Sequence, residues 1–138
     1  MEEKKVVRRT PFVLQLHESE HQAGRHYDLR IKYMHKNKLI SFAIPKAKIP
    51  QNVGEKVLAV NTPDHTIDWL NYSGRIGSGY GQGNISIVQK GELDIVGWSE
   101  SQITFYASGK ELNGKYSLVR IRIVQNQPGW LLVKAMDE

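Results

Sequence analysis

Four side chains in one short stretch have the chemistry of a metal and phosphate site. In HESEHQAGRHYDLRIKY, residues 17–33, His17, His26, Asp28 and Arg30 supply two imidazoles, a carboxylate and a guanidinium. Within its second half, Tyr27, Leu29 and Ile31 alternate with His26, Asp28 and Arg30. Strand side chains point to opposite faces with period two. RHYDLRIKYM (25–34) is therefore expected to turn an apolar face to a core, with a base, an anion and a cation side by side on the other. PFVLQLH (11–17) reads as a preceding strand that delivers His17 at its end. Pairing of the two would bring His17, His26 and Asp28 together. Two imidazoles and a carboxylate suit Mn²⁺, Zn²⁺ or Fe²⁺ better than Ca²⁺. Three protein ligands also leave positions open for water or substrate. Arg30 on the same face has the planar fork of donors that holds a phosphate. The same residues are equally those of a half-buried ion-pair ladder, Asp28 with Arg30 and His26, and H-x-D spacing does not choose between the two.

His65, in NTPDHTIDW, is expected in a loop flanked by Pro63 and acids, as a general acid, a phosphate contact or a turn cap. His21, in a polar loop, and His35, in the turn HKNK (35–38), read as surface histidines. GSGYGQG (77–83) opens no helix, so it supports neither a dinucleotide fingerprint nor a P-loop. Its glycines read as a tight bend or a close backbone approach beside a strand. Arg120 and Arg122 alternate in LVRIRIV, as a basic stripe or a solvated face.

These residues need a scaffold, and the chain reads as strands throughout. LISFAIP (39–45) is a third strand closed by Pro45, and KVLAVNT (56–62) a short one. NISIVQKGELDIV (84–96) suggests a hairpin, and QITFYAS (102–108), KYSLVRIRIV (115–124) and GWLLVKAM (129–136) complete the set. No segment holds a 3.6-residue apolar period over ten residues or more. The expected fold is all-β and mainly antiparallel, a small closed or partly open barrel of roughly eight strands with little helix. Residues 1–10 are expected to be a basic N-terminal arm and 11–138 a single barrel domain.

The 138 residues are 40% hydrophobic and 24% charged, the balance of an ordinary globular domain. The absence of cysteine excludes disulfides, thiolate metal sites and Cys nucleophiles together. No apolar run approaches bilayer-spanning length, and MEEKKVVRRT lacks the apolar centre of a signal peptide. The expected location is cytoplasmic, with no membrane partner. A net charge of +5 and a pI near 9.5 fit a polyanionic partner.

The ordered series FVLQLH, RHYDLRI, SFAIPK, LAV, DHTIDW, GYGQG, LNGKYSLVRI and WLLVK resembles the 3′-phosphoesterase domain associated with ATP-dependent DNA ligase D. The resemblance runs from about residue 11 to 137, and HYDLR with the series after it carries far more than H-x-D alone. It implies a small β-barrel enzyme that uses Mn²⁺, with Co²⁺ or Zn²⁺ as alternatives, to trim DNA 3′ ends. Its substrates would be primer-templates bearing a 3′ ribonucleotide or a 3′-phosphate, processed to a 3′-hydroxyl for repair and end joining. On that pattern His17, His26 and Asp28 are the metal ligands, Arg30 and His65 contact the scissile phosphate, and Lys46 is a further basic group near it. The sequence shows no polymerase or ligase segment, so the resemblance implies a stand-alone version. Its partners would then be a separate ligase or polymerase and an end-binding protein.

The sequence departs from the family pattern at four places. EHQAGR enlarges the loop between the first two ligand histidines, which makes His21 a rival to His17. Trp69 stands where the family has a tyrosine, Val57 (beside Lys56) where it has a basic residue, and Gly77–Ser78 where it often has Pro-Glu. Two other readings remain. One is a catalytically weak or inactive DNA-end-binding module of a ligase complex. The other is a facial-triad Fe(II) oxygenase, which would need His65 as its second histidine.

Overall fold

The computed structural model describes residues 6–19, 24–77, 83–124 and 126–137. They form nine strands: β1 (Arg8–Ser19), β2 (Arg25–Lys32), β3 (Leu39–Ile44), β4 (Lys56–His65), β5 (Gly74–Ile76), β6 (Gly83–Trp98), β7 (Gln102–Ala107), β8 (Gly114–Val124) and β9 (Gln127–Lys134). One 3₁₀ turn, Ile67–Asn71, is the helical element among them. The strand order is β1-β2-β3-β4-β9-β8-β7-β6, and β6 returns to pair with β1, closing an eight-stranded antiparallel barrel with β5 added on β6. Among the described residues no helix is long and apolar enough to cross a membrane.

The period-two pattern builds this directly. Phe12 and Leu14 of β1, Leu29 and Ile31 of β2, and Phe42 and Ile44 of β3 point inward and are fully or almost fully buried. They share one core cluster with Leu93, Ile95, Ile103, Phe105, Leu118 and Leu132 of the remaining strands. A second, smaller apolar cluster lies on the other face of the first three strands. There Val13, Leu39 and Leu70 pack with Ile67 and Trp69, so the 3₁₀ turn is clamped onto the outside of the sheet.

Three boundaries differ from the sequence expectation. β1 begins at Arg8, inside the stretch expected to be an arm, because Arg8, Arg9 and Thr10 pair with Ile95, Asp94 and Leu93. Residues 83–98 are one long strand and not a hairpin. Gly91 has none of the positive φ that a tight hairpin turn would require, and both halves of β6 pair with the uninterrupted β1. The alternation there slips at Val88, where the register shifts between the partners of Leu14 and Gln15. Finally, β4 runs on to His65, which places that residue at a strand end and not in a loop.

Of the glycine-rich segment, residues 78–82 lie outside the described residues. Gly83 is the close approach expected there. Its φ is +153°, and a Cβ would sit 2.1 Å from the Glu18 carbonyl oxygen.

Candidate active site

Register decides which side chains meet. β1 and β2 pair with His17 opposite His26, Gln15 opposite Asp28 and Val13 opposite Arg30. β2 and β3 pair with Asp28 opposite Ala43 and Arg30 opposite Ser41, and Ser41 lies opposite Thr62 of β4. All of these share the outer face, in a row crossing four strands. The 3₁₀ turn covers that face, which explains why so polar a row is buried: Gln15, His17, Asp28, Arg30 and Ser41 are each at most 8% exposed.

The cluster centres on one carboxylate oxygen. Asp28 Oδ2 lies 3.3 Å from His26 Nε2, 3.7 Å from His17 Nδ1 and 3.6 Å from a terminal nitrogen of Arg30. The two imidazole rings are tilted with centroids 4.8 Å apart. Burial penalises the Asp28 charge, yet the close imidazoles of His17 and His26 and the charge of Arg30 outweigh it. The carboxyl is held well below the usual carboxylate range. One donor atom each from His17, His26 and Asp28 all lie within 4.8 Å of one another, the only such metal-ligating trio among the described residues. A cation bound at about 2.1 Å by two imidazoles and a carboxylate needs donors spaced on this order, so the donor set fits a borderline divalent metal. His21 lies outside the described residues.

Arg30 is oriented from three sides. Its Nε donates to Gln15 Oε1 at 2.7 Å, and its guanidinium carbon sits 4.9 Å from the centre of the Trp69 ring. The third contact is Asp28. Gln15 completes the brace by donating from Nε2 to the carbonyls of Trp69 and Tyr72, both at 3.0 Å. Sequence reading passed over Gln15, although its place two residues before His17 in FVLQLH put it on the same strand face. Trp69, a departure from the family pattern, roofs Arg30 and meets the His65 ring edge-on at 5.0 Å. Gln15→Leu removes the acceptor of Arg30 Nε and the side-chain donor to the Tyr72 carbonyl, and leaves the Trp69 carbonyl with only the 3.4 Å bond from Tyr72 N–H. We expect it to lower stability by about 1–3 kcal/mol in urea unfolding, and to loosen the turn that carries Trp69.

His65 approaches from the end of β4. Its Nδ1 lies 2.9 Å from the Pro63 carbonyl, which can only accept, and 3.3 Å from Ser41 Oγ. Nδ1 therefore carries the proton, and the neutral ring keeps its lone pair on Nε2. Burial, and next the charge of Arg30, push this imidazole below its ordinary value. The sign follows: the unfolded chain takes up the proton more readily, so the contribution of His65 to stability is present above the ordinary histidine value and lost as pH falls below it. In urea unfolding from pH 7.5 down to 5, the parent should lose stability relative to His65→Gln. Parallel curves would remove the assigned shift.

His17, His26, Asp28, Arg30 and His65 line one cleft of about 270 Å³, with Thr62, Trp69 and Ile85 among its other walls. Lys46 is not brought into it. That residue is exposed in the turn after β3 and is absent from the cleft lining. His35 is exposed and packs against Tyr33, away from the cluster.

Comparison with known proteins bears on this geometry. Residues 15–120, which include every residue of the cleft, match the family described as the DNA ligase D 3′-phosphoesterase domain. The chain is 34% identical over 92% of its length to a multifunctional non-homologous end joining protein LigD of Mycolicibacterium smegmatis. It is 32% identical over 86% to the protein of that name in Pseudomonas aeruginosa, and 33% identical over 79% to a LigD of Mycobacterium tuberculosis. It spans 17% of the first of these proteins and 14% of the other two.

Proposed function

We propose, from the premise that this chain belongs to the DNA ligase D 3′-phosphoesterase domain family, that it hydrolyses phosphoesters at DNA 3′ ends. The observation that carries the reading is the placement of Arg30 on the row that holds His17, His26 and Asp28, inside one cleft. His17, His26 and Asp28 would hold a Mn²⁺-like ion. Bound there, such an ion supplies Lewis acidity toward a phosphate oxygen and a more acidic water.

This chain's own residues do the rest. Arg30, braced by Gln15 and Trp69, presents its remaining N–H groups to phosphate oxygens and offsets the charge that grows in the transition state. His65 begins neutral. An arriving phosphate opposes the effect of Arg30 and favours the imidazolium, which can donate to the phosphate or to the leaving oxygen. Thr62 and the ring of Trp69 close the cleft around the ester.

Two imidazoles and a carboxylate are also the donor set of facial-triad iron oxygenases. Arg30 and the family match favour phosphate over that chemistry. The natural substrates proposed are primer-templates ending in a 3′ ribonucleotide or a 3′-phosphate, and the proposed setting is end joining alongside a ligase. The test is a labelled primer-template with one 3′ ribonucleotide, incubated with and without Mn²⁺. Manganese-dependent shortening to a 3′-hydroxyl is expected. Tight binding of the end without cleavage would replace the enzyme by an end-binding module.

A further inference from the structure

A second and larger cavity lies at the end of the barrel where β2 and β4 finish and β3 and β9 begin. Its volume is about 580 Å³, within the range of roughly 300–1,000 Å³ typical of ligand sites. Ile40 and Trp130 are buried in its floor, and half-buried Tyr33 and Trp98 stand as walls. The two wall rings are 5.7 Å apart and inclined by 35°. Exposed Glu100 and Arg120 lie on its rim. The buried indole N–H of Trp130 has no hydrogen-bond partner. An apolar floor, aromatic walls and a polar rim to which His35, Asn61, Ser99, Glu100 and Arg120 contribute match a flat heterocycle with polar edges.

This cavity and the cleft lie on opposite faces of β4 and approach each other around the strand's end. Asn61 lines the mouth and Thr62, the next residue, lines the cleft. Asp64, next to His65, accepts a hydrogen bond of 2.9 Å from the hydroxyl of the wall residue Tyr33.

We propose that the barrel mouth takes a nucleobase, that of a nucleotide beside the phosphate held in the cleft. The inference rests on the phosphoesterase reading for the source of the base but not for the pocket itself. Stacking on aromatic side chains is sequence-tolerant, because every base has a π face. That suits a site that must accept whatever nucleotide ends a strand. Two sources share this chemistry: a base of the bound strand and a free nucleoside.

The experiment uses 2-aminopurine, whose fluorescence falls when it stacks. It is placed in turn at each of the last four primer positions of a primer-template, and offered separately as the free riboside. With the full chain, several-fold quenching at one or two adjacent positions is expected. Trp98→Leu should abolish it. Arg120→Ala, a change at an exposed residue, should weaken it several-fold while leaving the circular dichroism spectrum unchanged. Quenching of the free riboside alone would keep the pocket and assign it to a free nucleoside. Bright probes in both forms, or quenching that survives both substitutions, would overturn the proposal. Cleavage is read in the same samples with Mn²⁺. Quenching without cleavage spares the mouth and removes the phosphoesterase reading, and cleavage without quenching does the reverse.

Discussion

Asp28→Ala is expected to lose about 3–5 kcal/mol of stability and to lose manganese binding as well. Arg30 is 4% exposed, and Asp28 is the anion paired with it. Gln15 and the Trp69 ring contact the guanidinium, but neither carries a negative charge. Removing the carboxylate therefore leaves a buried cation uncompensated, which is more damaging than never having had the pair. The same carboxyl is held below the ordinary carboxylate range. Its contribution is thus fully present above the unfolded value and is lost only as pH falls through the lower folded one. His26→Ala separates the two effects. It removes a ligand but leaves Asp28 paired with Arg30 and His17, so metal affinity should collapse while stability changes little. Urea unfolding and calorimetric titration with Mn²⁺ measure the two quantities independently. Undiminished manganese binding by both His26→Ala and Asp28→Asn would refute the ligand assignment. A silent His17→Ala beside a damaging His21→Ala would move the first ligand into the enlarged loop.

The row that these substitutions probe was legible in the sequence because it is local. HYDLRI alternates within one strand, and period two alone separates His26, Asp28 and Arg30 from the core residues Tyr27, Leu29 and Ile31. His17 required only that adjacent strands pair in antiparallel register, which a short connection favours. What escaped reading depends on contacts distant in sequence. Gln15 acquires its importance from Arg30 on the next strand and from carbonyls of a 3₁₀ turn more than fifty residues on. Trp69 looked like a lost phenol because its own segment shows no period, while its packing over Arg30 is set by Leu70 seating against Val13 and Leu39. β6 looked like a hairpin because Lys90–Gly91 interrupts its alternation. The continuous partner that keeps it extended is β1, at the other end of the chain. His65 was placed in a loop since Pro63 precedes it, yet the pairing of Leu39 with His65 carries the strand past the proline.

Arg30→Lys is expected to cut cleavage of a 3′-ribonucleotide end by roughly a hundredfold or more, the scale of losing one oriented transition-state donor. The present contacts of Arg30 say why lysine cannot substitute. Nε is committed to Gln15 Oε1, one terminal nitrogen faces Asp28, and the planar face is covered by Trp69. A guanidinium satisfies all three and still has N–H groups for phosphate oxygens, whereas an ammonium is a single point of charge. Lysine would retain the positive charge beside Asp28 but take the Nε–H from buried Gln15 Oε1. Stability should therefore fall by about 1–3 kcal/mol without unfolding, manganese affinity should change little, and the main deficit should appear in kcat. That split distinguishes a phosphate clamp from a structural counter-ion. A merely structural Arg30 would show the stability loss alone, and full activity of Arg30→Lys on a 3′-ribonucleotide end would remove the clamp from the mechanism. Trp69→Ala is the companion change. It strips the roof from Arg30 and the edge contact from His65 while leaving every proposed ligand in place. Its rate should fall toward that of Arg30→Lys, and combining the two should cost less than the product of the separate losses, because both act through the orientation of one guanidinium.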